Sequence, residues 1–261
     1  MFISAQPSDP SELFLEFHRW CGGAVGQHLV EVEQQELARE LHRIFGYHLV
    51  VVDPCRPLEA LRASRILHQV VQSSLPRGNE CPVSLIARQE QMPWQTDSVD
   101  AFVLPHTLEH SADPHQTLRE LDRCLVPEGH LIILGFNPRG VWGLRRFFAM
   151  RSQTAPWNLR FIALARLRDW LSLLGYDCLM SRYYFPRLPW AAAAHREKNE
   201  RWSDKAQKPL WPLIAACYLL VAQKRVVTLS PIKPRWRPRR SLVGNGIIET
   251  QQRGLSGHGR C

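Results

Sequence analysis

Long apolar runs are missing from this chain. No stretch reaches the ~18 consecutive apolar residues of a membrane span, and the longest candidate, Pro212 to Ala222, is too short. The sequence does not open with a basic segment followed by an apolar one, so no secretory signal is expected. Paired cysteines are missing too. The seven cysteines include no C-x-x-C, their number is odd, and most sit among apolar neighbours. That argues against a disulfide framework and for reduced thiols in a cytoplasmic protein, with Cys124 and Cys217 as plain core residues. No internal repeat is visible. Glycine is absent from Val52 to Pro57, where the first strand is expected to end. Without glycine a backbone cannot lie close against a ligand there, since every residue carries a Cβ. Acids are nearly absent from Lys224 onward, where nine basic residues face the single acid Glu249.

What is present is ordinary globular composition. The chain has 261 residues, 45% hydrophobic and 22% charged, enough for one larger domain with a sizeable core. The net charge is +9, and the nine bases and one acid after Gln223 supply +8 of it. Three prolines within Ser230 to Arg240, then frequent Gly and Gln, predict a disordered basic tail over 229–261. A body over 1–228 is left, with N-terminal helices within 12–45 and a core over 47–222.

Helical spacing is read at Glu12 to Trp20 (Leu13, Phe14, Phe17, Trp20) and at Glu31 to Phe45 (Leu37, Leu41, Ile44, Phe45), with Gly46 as a stop. Leu49 to Val52 reads as a strand buried on both faces. A short helix follows Pro57, and weaker strands are expected at His68 to Ser73 and Pro82 to Ala87. The densest information lies between Met92 and Asn137. A polar turn leads to a strand, Val99 to Leu104, then a loop, His106 to Ala112. Asp113-Pro114 opens a helix in which Leu118, Leu121 and Leu125 share a face and which Gly129 is expected to close. A strand from Leu131 to Phe136 ends at Asn137-Pro138. A long helix is predicted over Asn158 to Leu174, with Gly175 ending it, then strands at Tyr176 to Arg182 and Ala215 to Ala222. Trp190 to Ala194 and Glu197 to Lys208 read as an insertion. Alternating strands and helices predict a mostly parallel, doubly wound α/β sheet, and ligands of such sheets bind beyond the strand carboxyl ends.

The phrases Met92-Pro93-Trp94, Asp97-Ser98-Val99-Asp100, Leu108-Glu109-His110, Asp113-Pro114, Leu118-Arg119-Glu120, Arg123-Cys124-Leu125 and Pro127-Glu128-Gly129 resemble the class I S-adenosylmethionine-dependent methyltransferases of the type 11 group. The likeness is dense over about 45 residues and diffuse over perhaps 190. It is closest to a bacterial branch whose first glycine-rich loop has decayed. The resemblance implies a Rossmann-like sheet with an antiparallel last strand, S-adenosylmethionine as cofactor, and methyl transfer to an unknown small-molecule or macromolecular acceptor. It places the cofactor against Asp53, Pro54, Gln91, Met92 and His106. The family's glycine loop, its ribose-holding acid and its acid after the third strand are replaced by Asp53 to Pro57, by Ser73-Ser74, and by Arg88 to Gln91, where Glu90 is the acid.

His106, just past the fourth strand, is the candidate catalytic residue, able to orient an acceptor or take its proton. Glu109 and His110 are expected to pin the loop. Two other readings stand beside the enzyme. The first is a non-catalytic binding module that kept the fold and lost the cofactor loop. The second is a zinc hydrolase, since His106-Thr107-Leu108-Glu109-His110 matches H-x-x-E-H, although Pro105 and Asp113-Pro114 leave no room for a long zinc helix, so no metal ligand is assigned. Aromatics at Trp142, Phe147, Phe148, Tyr183 to Phe185, Trp190 and Trp202 are read as core or as a lid. The basic tail, with Trp236 interleaved, is a candidate nucleic-acid contact.

Overall fold

The computed structural model describes residues 9–76, 82–148, 154–186 and 211–225, the side chains at 147–148 and 211–212 excepted. Contacts divide the chain between Val226 and Val227, and all the described residues fall in the first unit. The tail and the insertion read from the sequence, Trp190 and Trp202 included, lie outside the described residues.

Helix α1 (Pro10–Cys21) starts where Asp9 accepts the Ser11 amide at 3.0 Å and Pro10 supplies a preset φ. It buries Phe14, Phe17 and Cys21, one residue per turn. Helix α2 (Ala24–Leu41) begins seven residues earlier than the periodicity suggests. Gly26 permits this. A Cβ there would sit 2.4 Å from the Trp20 carbonyl oxygen and 2.5 Å from Cys21 Cα, so only hydrogen fits where α2 folds back on α1.

Among the described residues the sheet has seven strands in the order β3-β2-β1-β4-β5-β7-β6. They are β1 (His48–Val52), β2 (His68–Ser73), β3 (Leu85–Ile86), β4 (Val99–Pro105), β5 (Leu125–Phe136), β6 (Tyr176–Tyr184) and β7 (Cys217–Lys224). The first five in sequence pair in parallel, while β7 is antiparallel to both β5 and β6. The fold is therefore the expected α/β, Rossmann-like sheet with an antiparallel last strand. Leu49 and Val51 join one core cluster with α1 and α2, and Val50 and Val52 join a second with α4 (Pro114–Cys124) and α6 (Leu164–Leu173). Both faces are covered, which is why the strand carries no polar residue after His48.

The remaining elements are a 3-10 turn at Glu59–Ala63, the one-turn helix α3 (Thr107–His110), α5 (Val141–Phe148) and α7 (Trp211–Ile214). Several boundaries differ from the sequence reading. The helix after Asp113 ends at Cys124, not at Gly129, and β5 begins at once. Register with β4 slips between Val99↔Leu125 and Ala101↔His130. Pro127, which cannot donate to a ladder, and Glu128 at φ 64 fall in that irregularity. The long helix starts at Leu164 rather than Asn158. Leu159 and Phe161 belong to the α1 side of the sheet, whereas Leu164, Leu167 and Leu171 belong to the other. The chain crosses between faces there, so one helical stripe cannot continue. Gly175, at φ 85, does end that helix.

Candidate functional site

The carboxyl ends of β1 and β2 and the loop after β3 are stitched together by one buried acid. Asp53 follows β1 with φ 50, a left-handed conformation in which a non-glycine residue needs local support. Its amide donates to the Gln72 carbonyl at 2.8 Å. Its carboxylate accepts the Ser74 amide and the Ser74 hydroxyl, both at 2.6 Å, and the Gln89 side-chain amide at 2.5 Å. His110 Nε2 lies 3.7 Å away. Burial alone would raise the pKa of Asp53, but the His110 ring and the Ser74 donors outweigh it and hold the group below the usual carboxylate range.

Beside this network lies a cavity of about 280 Å³. Asp9, Ser11 and Phe14 of α1 form one wall. Ser74 after β2, Arg88 to Glu90 after β3, and His110 and Ser111 at the end of α3 form the others. The Phe14 ring packs on the His110 imidazole at 4.8 Å between centroids. Two buried wall residues carry an atom without a hydrogen-bond partner, Gln89 Oε1 and His110 Nδ1. The Gln89 amide nitrogen lies 3.0 Å from His110 Nε2. A proton sits on Nδ1 both in the charged ring and in the neutral tautomer whose Nε2 accepts there. Gln89 Oε1 is then an unused acceptor and His110 Nδ1 an unused donor, groups that a polar heterocycle or a pair of hydroxyls could complete.

His106 sits elsewhere. It is fully buried, at φ 59, with Nε2 2.7 Å from Glu33 of α2 and Nδ1 2.7 Å from Glu109. Tyr184 donates to Glu33 at 3.1 Å, and Glu109 accepts the Phe136 amide at 2.6 Å. Phe136 and Phe17 close the ring in, at 4.3 and 5.2 Å. Burial would push the imidazole down, but the two carboxylates dominate and raise it to about 10. Burial also lifts Glu109 above the usual carboxylate range, against the pull of His106. His106 is thus a cation that ties α2 to the ends of β4 and β5.

The side-chain ligand atoms of Glu33, His106 and Cys217 lie within 4.8 Å of one another. Both nitrogens of His106 are already hydrogen-bonded there, and every group of the cluster is buried. The H-x-x-E-H match does not assemble a metal centre. His106 faces Glu33 and Glu109, while His110 faces Asp53 and Gln89, and the four-residue α3 cannot present both imidazoles on one face.

Of the residues placed at the cofactor from the sequence, Asp53 underlies the cavity through its bonds to Ser74 and Gln89, and Pro54 is buried beside it. Gln91 is exposed, and Met92 is buried in the core facing α4. None of the five, His106 included, lines the cavity. The wall lies just upstream of Gln91, at Arg88 to Glu90. Asn137 caps a turn, its side chain donating to the Ala215 carbonyl at 3.0 Å and accepting the Arg139 amide at 3.1 Å. Sequence reasoning missed Gln89 as a wall residue, His110 as more than a loop pin, and the whole contribution of α1. No local pattern marks a helix ~40 residues before the first strand as part of the site.

This sheet order, with a crevice at the carboxyl ends of its parallel strands, defines the class I methyltransferase architecture. The profile described as "Methyltransferase domain" matches residues 34–133. "Uncharacterized protein YafS" of Escherichia coli (strain K12) is 34% identical over 220 residues, 81% of this chain and 85% of that protein. Among solved structures, a Thermotoga maritima protein described as an S-adenosylmethionine-dependent methyltransferase, possible histamine N-methyltransferase, superposes with a TM-score of 0.58 at 13% identity, covering 82% of this chain and 100% of that one. A Haloferax volcanii putative methyltransferase, solved in complex with its Trm112 activator, gives 0.55 at 16% identity, covering 81% and 96%. The chain belongs to the type 11 group of class I methyltransferases.

Proposed function

We propose that this protein transfers a methyl group from S-adenosylmethionine, whose nucleoside half is held in the cavity beside Ser74, Gln89 and His110. The observation that carries this reading is the pair of unpartnered buried atoms, Gln89 Oε1 and His110 Nδ1, on residues of that wall. A buried polar atom without a partner is costly, so its retention points to a ligand that completes it. The residues present fit the nucleoside end of the cofactor. When bound, the cofactor supplies an electrophilic methyl group on a sulfonium. Gln89 and His110 would fix the nucleoside, Asp53 would hold both β1 and β2 in place beneath it, and Phe14 of α1 would keep water from its face. His106 takes no proton from an acceptor in this reading, because both of its nitrogens are engaged. The acceptor is one that needs positioning rather than a dedicated base. A cytoplasmic location goes with the five described cysteines, all of them free thiols.

A second reading rests on the turn after β1. Pro54 and Cys55 are buried, and Cys55 packs in the same cluster as Cys21 of α1. Pro54 and Pro57 offer no N–H. A turn so closed suits a non-catalytic binding module that kept the fold and lost the cofactor loop. Calorimetric titration separates the two. Binding of both S-adenosylmethionine and S-adenosylhomocysteine with micromolar affinity supports the enzyme, and silence from both at millimolar ligand leaves the module.

A further inference from the structure

Two imidazoles meet where β1 and β2 begin, at the opposite end of these strands from the cavity. His48 and His68 are register partners on the neighbouring strands. Their Nδ1 atoms lie 2.8 Å apart, with the ring planes nearly perpendicular at 89° and the centroids 4.8 Å apart. The rings therefore meet nitrogen to nitrogen and do not stack. Both residues are exposed, and among the described residues neither ring has another hydrogen-bond partner. Both strand starts are tied down. One Asp100 carboxylate oxygen accepts the Tyr47 and His48 amides at 2.9 and 2.8 Å. The Gln69 side-chain amide donates to the Leu61 and Ile66 carbonyls at 3.0 and 2.8 Å, which holds the approach to β2. Asp100 also brings a carboxylate to this edge. Arg65 of the same edge stacks on the Phe45 ring at 4.8 Å and contacts His42 at 3.2 Å, rather than either of the paired rings.

We infer that His48 and His68 form a two-nitrogen site for a divalent transition-metal ion of tetragonal preference, Ni²⁺ or Cu²⁺. The direct contact needs one ring to donate from Nδ1 and the other to accept there, since two lone pairs cannot face each other without a cation between them. A metal ion takes both Nδ1 atoms as neutral ligands. The donating ring moves its proton to Nε2, so both rings stay neutral and no proton is released. The spacing selects the ion. With metal–nitrogen bonds of ~2.0–2.1 Å, nitrogens 2.8 Å apart subtend about 85° at the metal, near the right angle of neighbouring corners in a square-planar or octahedral centre. A tetrahedral zinc centre holds its nitrogens about 3.3 Å apart at the same bond length. Imidazole suits either ion, and water completes the other positions. The β1–β2 ladder fixes the distance between the two ligands before the ion arrives, so little ordering entropy is lost on binding. The site is separate from the H-x-x-E-H segment and from the cavity. A bound ion there clips β1 to β2 and takes no part in methyl transfer.

The test is titration of the untagged full chain with Ni²⁺, read by calorimetry and by the urea-unfolding midpoint, on the wild type and on His48→Gln and His68→Gln separately. Both substitutions change exposed positions, and circular dichroism checks that the fold is kept. The wild type is expected to bind Ni²⁺ at this pair and to show a midpoint that rises with Ni²⁺ concentration, because the paired nitrogens exist only in the folded chain. Each variant is expected to bind at least about tenfold more weakly, the loss that removal of a mere outer-shell partner already causes. Zn²⁺ is expected to bind the wild type more weakly than Ni²⁺ does. No rise in the wild-type midpoint would overturn the proposal. A rise that persists undiminished in both variants would place the ion at other histidines or cysteines and overturn it too, as would tighter binding of Zn²⁺ than of Ni²⁺.

Discussion

His106 illustrates how a residue that looks chemical becomes structural. An exposed loop histidine at the end of β4 would be free to handle protons, but this one is sealed between Glu33 and Glu109 and carries a charge. The folded chain keeps that proton up to about pH 10, while an unfolded histidine releases it near 6.5. The resulting stabilisation is complete below pH 6.5 and is lost as pH climbs toward 10. Urea unfolding should therefore show a midpoint that falls over that interval. In His106→Gln the two carboxylates lose their cation. We expect a loss of about 3–5 kcal/mol at neutral pH and a shallower decline above it. A steep decline retained in the variant would remove His106 as its cause. At the cavity, Gln89→Met keeps length but deletes both the bridge to Asp53 and the unused acceptor. Nucleoside affinity should drop about tenfold or more, with the fold preserved by circular dichroism. The sequence could not rank these residues. A buried histidine between carboxylates and an exposed one leave the same letters, and Glu33 lies 73 residues from its partner.

At the scale of elements, legibility followed locality. The N-cap at Asp113 was readable because Asp-Pro is a local signal, and the structure has Asp113 accepting the His115 and Gln116 amides at 2.9 and 3.1 Å. Asp113→Ala should cost about 1 kcal/mol in urea unfolding. The strands β1 and β4 were readable because continuous apolar runs have few other uses, whereas β2, with only Val70 and Val71 apolar, gave a weaker signal. The end of α4, the start of α6 and the start of α2 were not, since each depends on a tertiary event: a slipped register against β4, a crossing between sheet faces, and a close approach at Gly26. The last of these is testable. In Gly26→Ala the new Cβ would meet the α1 backbone, so α1 must shift. We expect a loss of about 1–3 kcal/mol, together with weaker ligand binding, because α1 forms a wall of the cavity. Stability lost with affinity unchanged would show that α1 plays no part in binding.

For the whole molecule, the account joins a scaffold shared with many methyltransferases to a site with its own solution. The turn from Asp53 to Pro57 carries no glycine, and in the proposed function the nucleoside contacts gather instead at Ser74, Gln89 and His110 under the cover of α1. The measurement that bears most directly on this is isothermal titration of the full chain with S-adenosylhomocysteine and S-adenosylmethionine, repeated with Gln89→Met. The account predicts micromolar binding of both ligands and about tenfold weaker binding in the variant. No heat from either ligand at millimolar concentration, or identical affinities for wild type and variant, would contradict it.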